Sequence, residues 1–330
     1  MTNDSRPQPE AVDIQIARLR DLFVAHHASD ELRLSFDRRL RERRAATQLG
    51  SRIKARGLAL VGASGSGKTT AMDRLFDTHP DLILAEEGRE TAEVLRLQVP
   101  SPASLKNVGT ELLHGLGYPL SRDKSAAIIW TQVRQFLRAR KTLFLHLDEA
   151  QDLYVSKGVK ARNDVVNTLK SLMNDRDWPV GLVLSGTHDL LEMINSDAQL
   201  RRRLHVIHLN PVSWASHGAD VSQILAGLIA KAGLRPTEQV QLDEFLKRLI
   251  HAGGNEFGLI IEMSLGGIEE ALYSKDLQLT VEHFAASFRR KTGCIPAFNP
   301  FLAEDFQRID VRKIIGWDAS LDPSLPEGHQ

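Results

Sequence analysis

Leu58-Ala59-Leu60-Val61-Gly62-Ala63-Ser64-Gly65-Ser66-Gly67-Lys68-Thr69 is the stretch on which the fold turns. Four apolar residues make a short strand, and the eight that follow satisfy G-x-x-x-x-G-K-[ST] just before a segment of helical period. Glycines let the turn fold tightly enough to aim several backbone N–H groups at phosphate oxygens, and the next helix adds the positive end of its dipole. Gly62, Ala63, Ser64, Gly65, Ser66 and Gly67 are therefore the expected phosphate cradle, and Lys68 is expected to reach the β- and γ-phosphates. Thr69 would ligate Mg²⁺ through its hydroxyl, with Thr70 beside it, so ATP and Mg²⁺ are the expected cofactors. A Gly/Ser turn that merely ends in Lys-Thr is the plain alternative; the strand before it and the helix after it argue against that.

Outward from this point, further short apolar runs alternate with longer helical segments. VLRLQV (94–99), TLFLHL (142–147), VGLVLS (180–185) and LHVIHL (204–209) join LALV (58–61) as five candidate strands. Leu105, Val108, Leu112, Leu113 and Leu116, and later Val165, Val166, Leu169, Leu172 and Met173, step as one face of a helix does. Apolar strands separated by helices predict an α/β fold with a five-stranded parallel sheet covered on both faces. Beyond Pro211 the strand signal fades, and residues 224–232, 242–250, 259–272 and 281–289 read as a small helical module.

The third strand ends in Asp148-Glu149. A carboxylate at that end of a parallel strand can hold a Mg²⁺ hydration shell, the role expected of Asp148, and Glu149 can then orient or deprotonate the attacking water. An acidic helix start is the ordinary alternative. VLSGT places Thr187 where a hydroxyl could sense the γ-phosphate, against the alternative of a plain turn. Arg201-Arg202-Arg203 precede the fifth strand, and one of these guanidiniums is a candidate for a neighbouring subunit's site.

The 330 residues are 42% hydrophobic, 25% charged and 6% aromatic, which suits a globular chain and excludes a disordered or fibrous one. No apolar run nears the roughly 18 residues of a membrane span, and the N-terminus lacks the order of a signal peptide, so a cytoplasmic protein without membrane contact is expected. One cysteine, Cys294, excludes an internal disulfide framework. Forty-two basic residues balance 42 acidic ones, so any nucleic-acid surface must be a local concentration of charge. Residues 31–56 are locally basic, with nine Lys or Arg against three acids, but FDRRLRERR within them reads as a helix charged on several faces, so a neighbouring protomer rather than DNA is its expected partner. The last thirteen residues carry three acids and no Lys or Arg.

Together these features resemble an AAA+ ATPase, and the finer text resembles the TniB/TnsC group of transposition ATPases. The residues that carry the resemblance are DTHP (77–80), RLQVPSPASLKNVGTELLHGLGYP (96–119), HLDEAQDL (146–153), NTLKSLMNDRDWPVGLVLSGT (167–187) and DAQLRRRL (197–204), within roughly residues 35 to 290. The resemblance implies the AAA+ strand order, homo-oligomeric rings or filaments on duplex DNA with ATP, and a link between a target-selection protein and a transposase. By it Arg203 is preferred over Arg201 and Arg202 as the finger, which joins Glu149 and Thr187 as the expected catalytic residues. One departure is Phe257, which stands where many AAA+ lids carry a sensor arginine, and from it slow, regulatory hydrolysis is expected.

The expected domains are an N-terminal segment (1–34), the nucleotide-binding core (35–212), a helical lid (213–293) and a C-terminal partner-binding extension with a flexible tail (294–330). Phe298, Phe301 and Phe306 are the candidate anchors of that extension, against the alternative of a strap over the chain's own lid. Candidate contacts to duplex DNA, without sequence choice, are Lys106, Arg122, Lys124, Lys157, Lys160 and Arg162. A loader or signalling ATPase acting on a protein partner stays open as a second class. A stand-alone P-loop hydrolase or kinase is a third, although no substrate-pocket motif accompanies it.

Overall fold

The computed structural model describes residues 11–51, 53–84, 91–100, 103–154 and 158–316. Its strands are β1 (Gly57–Gly62), β2 (Val94–Gln98), β3 (Phe144–Asp148), β4 (Gly181–Gly186) and β5 (Leu204–Leu209). They form one sheet in the order β2-β3-β4-β1-β5, with every neighbouring pair parallel. β1, β3 and β4 are buried at every position, which is why they read as unbroken apolar runs. The edge strands β2 and β5 expose Arg96, His205 and His208.

The helices, in chain order, are α1 (Ala11–Arg20), α2 (Ser29–Gln48), α3 (Lys68–Asp77), α4 (Leu105–Gly115), α5 (Ala126–Ala139), α6 (Val159–Met173) and α7 (Asp189–Asn195). They continue with α8 (Ala198–Arg201), α9 (Trp214–Ala232), α10 (Glu238–Gln241), α11 (Asp243–Ala252), α12 (Phe257–Tyr273), α13 (Val281–Thr292) and α14 (Val311–Ile314). The chain divides into two compact units: one is His26–Ser64 with Lys68–Leu209, and the other comprises the described residues of 1–25, 65–67 and 210–330.

In the sheet unit, successive side chains of a strand point to opposite faces, so each strand feeds two cores. Ala59, Val61, Leu145, Leu147, Leu182 and Leu184 pack on one side with Leu112 of α4, Ile129 of α5, Leu169 of α6 and Leu190 of α7. Leu58, Leu60, Phe144 and Val183 pack on the other with Phe36 of α2 and Met72 and Phe76 of α3. The basic stretch is the helix expected: Leu32, Phe36 and Leu40 recur every four residues and are buried, while Arg38 and Arg39 pair with Glu42 on the wet face. Full burial of a side chain such as Phe36 contributes roughly 1.5–3 kcal/mol, far more than an exposed ion pair. Two charges of this helix depart from that pattern: Arg43 is buried and lies over the Trp178 ring at 5.8 Å, and Arg44 grips the mostly buried Glu93 with two bonds of 2.7 and 2.6 Å.

In the helical unit, α9, α11, α12 and α13 share one apolar core with Leu19 of α1. α1 was expected in a separate N-terminal segment; instead Arg20 makes two bonds of 2.7 and 3.0 Å to Glu269 of α12. A two-residue parallel pairing of Arg235–Pro236 with Gln278–Leu279, too short to leave a periodic signal, ties the bundle laterally. Of the three proposed phenylalanine anchors, Phe301 and Phe306 are each only 4% exposed and belong to this core, leaving Phe298 alone at the surface. Asn299 explains the course of the chain there: fully buried, it donates to Ala285 O at 2.8 Å and accepts from Phe301 N at 3.1 Å. Residues 296–314 therefore strap the chain's own bundle. The acidic tail lies outside the described residues.

Candidate functional site

The loop after β1 adopts the geometry its glycines permit, with φ of +78° at Gly65 and +94° at Gly67, where a side chain would strain the backbone. α3 begins at Lys68, so the loop runs straight into a helix N-terminus. Lys68 is buried, and its ammonium donates to Gly62 O at 3.0 Å and Ala63 O at 2.9 Å. The next residue, Thr69, donates its hydroxyl to Asp148 Oδ2 at 2.8 Å. Strand, loop, helix and the end of β3 thus bring together the phosphate-loop lysine, the hydroxyl and the carboxylate singled out in sequence.

Asp148 is also held from behind, by Ser185 and, through it, His146, which the motif reading did not single out, and by the main chain of Glu149. Its Oδ1 accepts from Ser185 Oγ at 2.6 Å and from Glu149 N at 3.1 Å. His146 Nε2 lies 2.9 Å from the same Ser185 hydroxyl. The hydroxyl gives its proton to Asp148, so it accepts from His146, which fixes the Nε2–H tautomer. Burial drives the pKa of His146 down to about 4, with Asp148 opposing the shift, so the ring is neutral near pH 7. A Ser and a His inside strands buried on both faces were the available signal, because buried polar groups must find partners.

Glu149 has a left-handed backbone, φ 52° and ψ 40°, rare for a residue with a side chain. Its Oε2 accepts from Gln151 Nε2 at 2.7 Å. Thr187 follows β4; its N–H donates to Gln151 Oε1 at 3.2 Å and its hydroxyl reaches Asp189 Oδ2 at 3.5 Å. Asp148, Glu149 and Thr187 are therefore linked within one polar network.

ATP and Mg²⁺ suit this set. Ser66 Oγ is buried and has no hydrogen-bond partner among the described residues. Thr69 and Asp148 supply the hard oxygen donors that Mg²⁺ takes when it arrives with a phosphate chain. Among the described residues there is no group of three or more His, Cys, Asp or Glu that could hold a metal ion.

The three arginines before β5 separate clearly. Arg201 and Arg202 are exposed, and Arg202 Nε donates to Ala198 O at 3.1 Å. Arg203 is half-buried, donates to Asn174 Oδ1 at 2.6 Å, and has its pKa pushed down by burial and by its neighbour Arg202. All three line an open depression of about 500 Å³ together with Arg39 and Arg56.

The DNA candidates are dispersed. Lys106 pairs with Asp123 at 2.6 Å, next in the chain to Arg122 and Lys124, and Lys124 donates to Gln132 Oε1 at 3.0 Å. Lys160 is exposed in the first turn of α6, and Arg162 lies over the Tyr154 ring at 4.8 Å. Lys157 lies outside the described residues. Among the described residues no helix is long and apolar enough to cross a membrane.

A parallel sheet in this order, with a phosphate loop after β1 and Asp148-Glu149 at the end of β3, gives the protein the AAA+ P-loop fold. Cdc6p from Pyrobaculum aerophilum is similar in structure, with a TM-score of 0.58 and 18% identity over 82% of this chain and 69% of that one. The Aeropyrum pernix ORC1 protein, solved in complex with DNA, gives 0.55 and 16% over 82% and 66%. The ORC2 protein of the same organism, solved as ADPNP-ADP complexes, gives 0.53 and 15% over 83% and 71%. No curated protein matches the chain in sequence. The family model described as bacterial TniB protein matches residues 35–214, more than half of the 330, and the chain belongs to the TniB family.

Proposed function

We propose that the protein is an ATP-dependent regulator of DNA transposition that assembles on duplex DNA and links a target-selection protein to a transposase. The observation that carries this reading is the TniB match over residues 35–214, which spans the loop, Asp148, Glu149, Thr187 and Arg203. In it the loop and Lys68 hold the phosphate chain, Thr69 and Asp148 hold Mg²⁺, and Glu149 takes a proton from the attacking water while Thr187 faces the γ-phosphate. Arg203 serves the nucleotide of a neighbouring copy. Binding favours assembly and hydrolysis reverses it.

Glu149→Gln keeps the shape of the side chain but removes the base, so it should trap the ATP-bound state. Electron microscopy of this variant with duplex DNA, ATP and Mg²⁺ should show rings or filaments along the DNA. Single copies under those conditions would overturn the assembly mechanism. Oligomers that form equally well without DNA would favour a loader or signalling ATPase acting on protein.

A further inference from the structure

We infer that Gln151 is a positioning residue for hydrolysis, joining Thr187 to the Glu149 carboxylate through a single buried amide. The inference rests on the ATPase reading above. Gln151 is 8% exposed and uses both ends of its amide: Oε1 accepts from Thr187 N–H at 3.2 Å, and Nε2 donates to Glu149 Oε2 at 2.7 Å and Asp152 Oδ1 at 3.3 Å. An N–H can meet only the amide oxygen, and a carboxylate only the amide nitrogen, so the orientation of the group is determined by its partners.

The surroundings are shaped for this side chain. Gly186 precedes Thr187 at the end of β4, and a Cβ there would overlap Gln151 Oε1. Glu149 stands on a left-handed backbone as the cap of the short 3-10 turn Ala150–Leu153, so the Gln151 bond sets the carboxylate where main-chain preference does not. It engages one carboxylate oxygen and leaves the other for the water. Movement of Thr187 toward a γ-phosphate is thereby passed to Glu149 through two hydrogen bonds in series.

The test measures turnover and nucleotide affinity separately, on the full chain with duplex DNA present. Gln151→Met keeps the volume and loses both bonds; Gln151→Glu can accept from Thr187 N–H but cannot donate to Glu149. Each should lower kcat about ten- to a hundredfold, the range expected when a catalytic group is misplaced, with the ATP-analogue Kd within about threefold of wild type. In a Glu149→Gln background, Gln151→Met should change the residual rate by less than about twofold, because residues that act as a unit are not additive. A merely structural residue would instead add its full penalty there.

Wild-type turnover that Glu149→Gln cuts at least about a hundredfold, to a rate still measurable, yet both Gln151 variants retain, overturns the positioning role alone. Full additivity in the double variant does the same. No turnover in the wild type overturns the ATPase reading and this inference with it; wild-type turnover in Glu149→Gln overturns the role of Glu149, and with it this inference, while leaving ATP hydrolysis in place. Should Gln151→Met fail to fold, Gln151→Glu, which is nearly isosteric, decides the question.

Discussion

Arg203 Nη1 donates to Asn174 Oδ1 across 2.6 Å, so the arginine nearest β5 is held by the end of α6 while Arg201 and Arg202 stay exposed. An arginine that must reach a neighbour's phosphates gains from being aimed beforehand. Arg203→Ala should therefore cut DNA-stimulated ATP turnover at least about a hundredfold, as expected for a finger, while Arg201→Ala stays within a few-fold. Mixing Arg203→Ala with Lys68→Ala should restore partial activity, because each intact half-site then comes from a different copy. Absence of recovery in the mixture, measured by phosphate release, would count against action between subunits.

Lys68 spends its ammonium on the carbonyls of Gly62 and Ala63. With phosphate present the same charge would strengthen a hydrogen bond to an anion, worth roughly 1.5–3 kcal/mol. Lys68→Ala is expected to weaken ATP binding about ten- to a hundredfold in calorimetry while leaving the thermal midpoint of the free protein nearly unchanged.

His146 gives the sheet unit a defined acid response. Its folded pKa is about 4 against an ordinary value of 6.5, so between these values the unfolded chain holds a proton that the folded chain lacks. Stability contributed by the neutral ring is present above pH 6.5 and lost as pH falls toward 4. At ~1.4 kcal/mol per pKa unit, the loss approaches about 3 kcal/mol at the lower limit. Urea midpoints at pH 7.5 and 5, without nucleotide or magnesium, should diverge for the wild type and draw together for His146→Gln.

Phe301 is 4% exposed and packs against Phe245, with ring centroids 5.9 Å apart, and against Phe284 at 5.7 Å. Phe301→Ala should destabilise the helical unit by about 3–5 kcal/mol through lost burial and the cavity left behind. Phe298→Ala, at a position 54% exposed, should cost under about 1 kcal/mol in the same denaturation experiment.

Contacts to DNA phosphates would show in salt dependence. Each contact removed from a duplex-binding surface lowers the slope of log K against log salt by ~0.9. Substituting Lys106, Lys124, Lys160 or Arg162 singly by Ala should change the slope by about that amount where the residue touches DNA, and uniformly across sequences. A series in which no slope moves assigns DNA contact to other residues.

The sheet was legible because its three inner strands are buried on both faces, so β1, β3 and β4 announce themselves as apolar runs whatever their tertiary setting. The phosphate loop and Asp148-Glu149 were legible for a related reason: their chemistry demands fixed residue types at fixed spacing. Gln151, Ser185, His146 and Asn174 were harder to find because each acts through a partner far along the chain; Ser185 and His146, for example, are 39 residues apart. The strap was misjudged at Phe301 and Phe306 because an aromatic residue amid charges fits a docking segment and a chain folded back on itself equally well. The bonds from Asn299 to Ala285, from Arg248 to the Pro300 and Ala303 carbonyls and between His251 and the Ile309 carbonyl distinguish the two, and each depends on a residue 14 or more positions away.

The strap also bears on how shortened versions of the molecule can be cut. A product ending before Asn299 would shed Phe301, Phe306, Ile309 and Val311 together and leave an oily cleft over α11 and α13, inviting clumping whatever its activity. Affinity handles and fluorescent fusions inserted between residues 296 and 314 would disturb that cover.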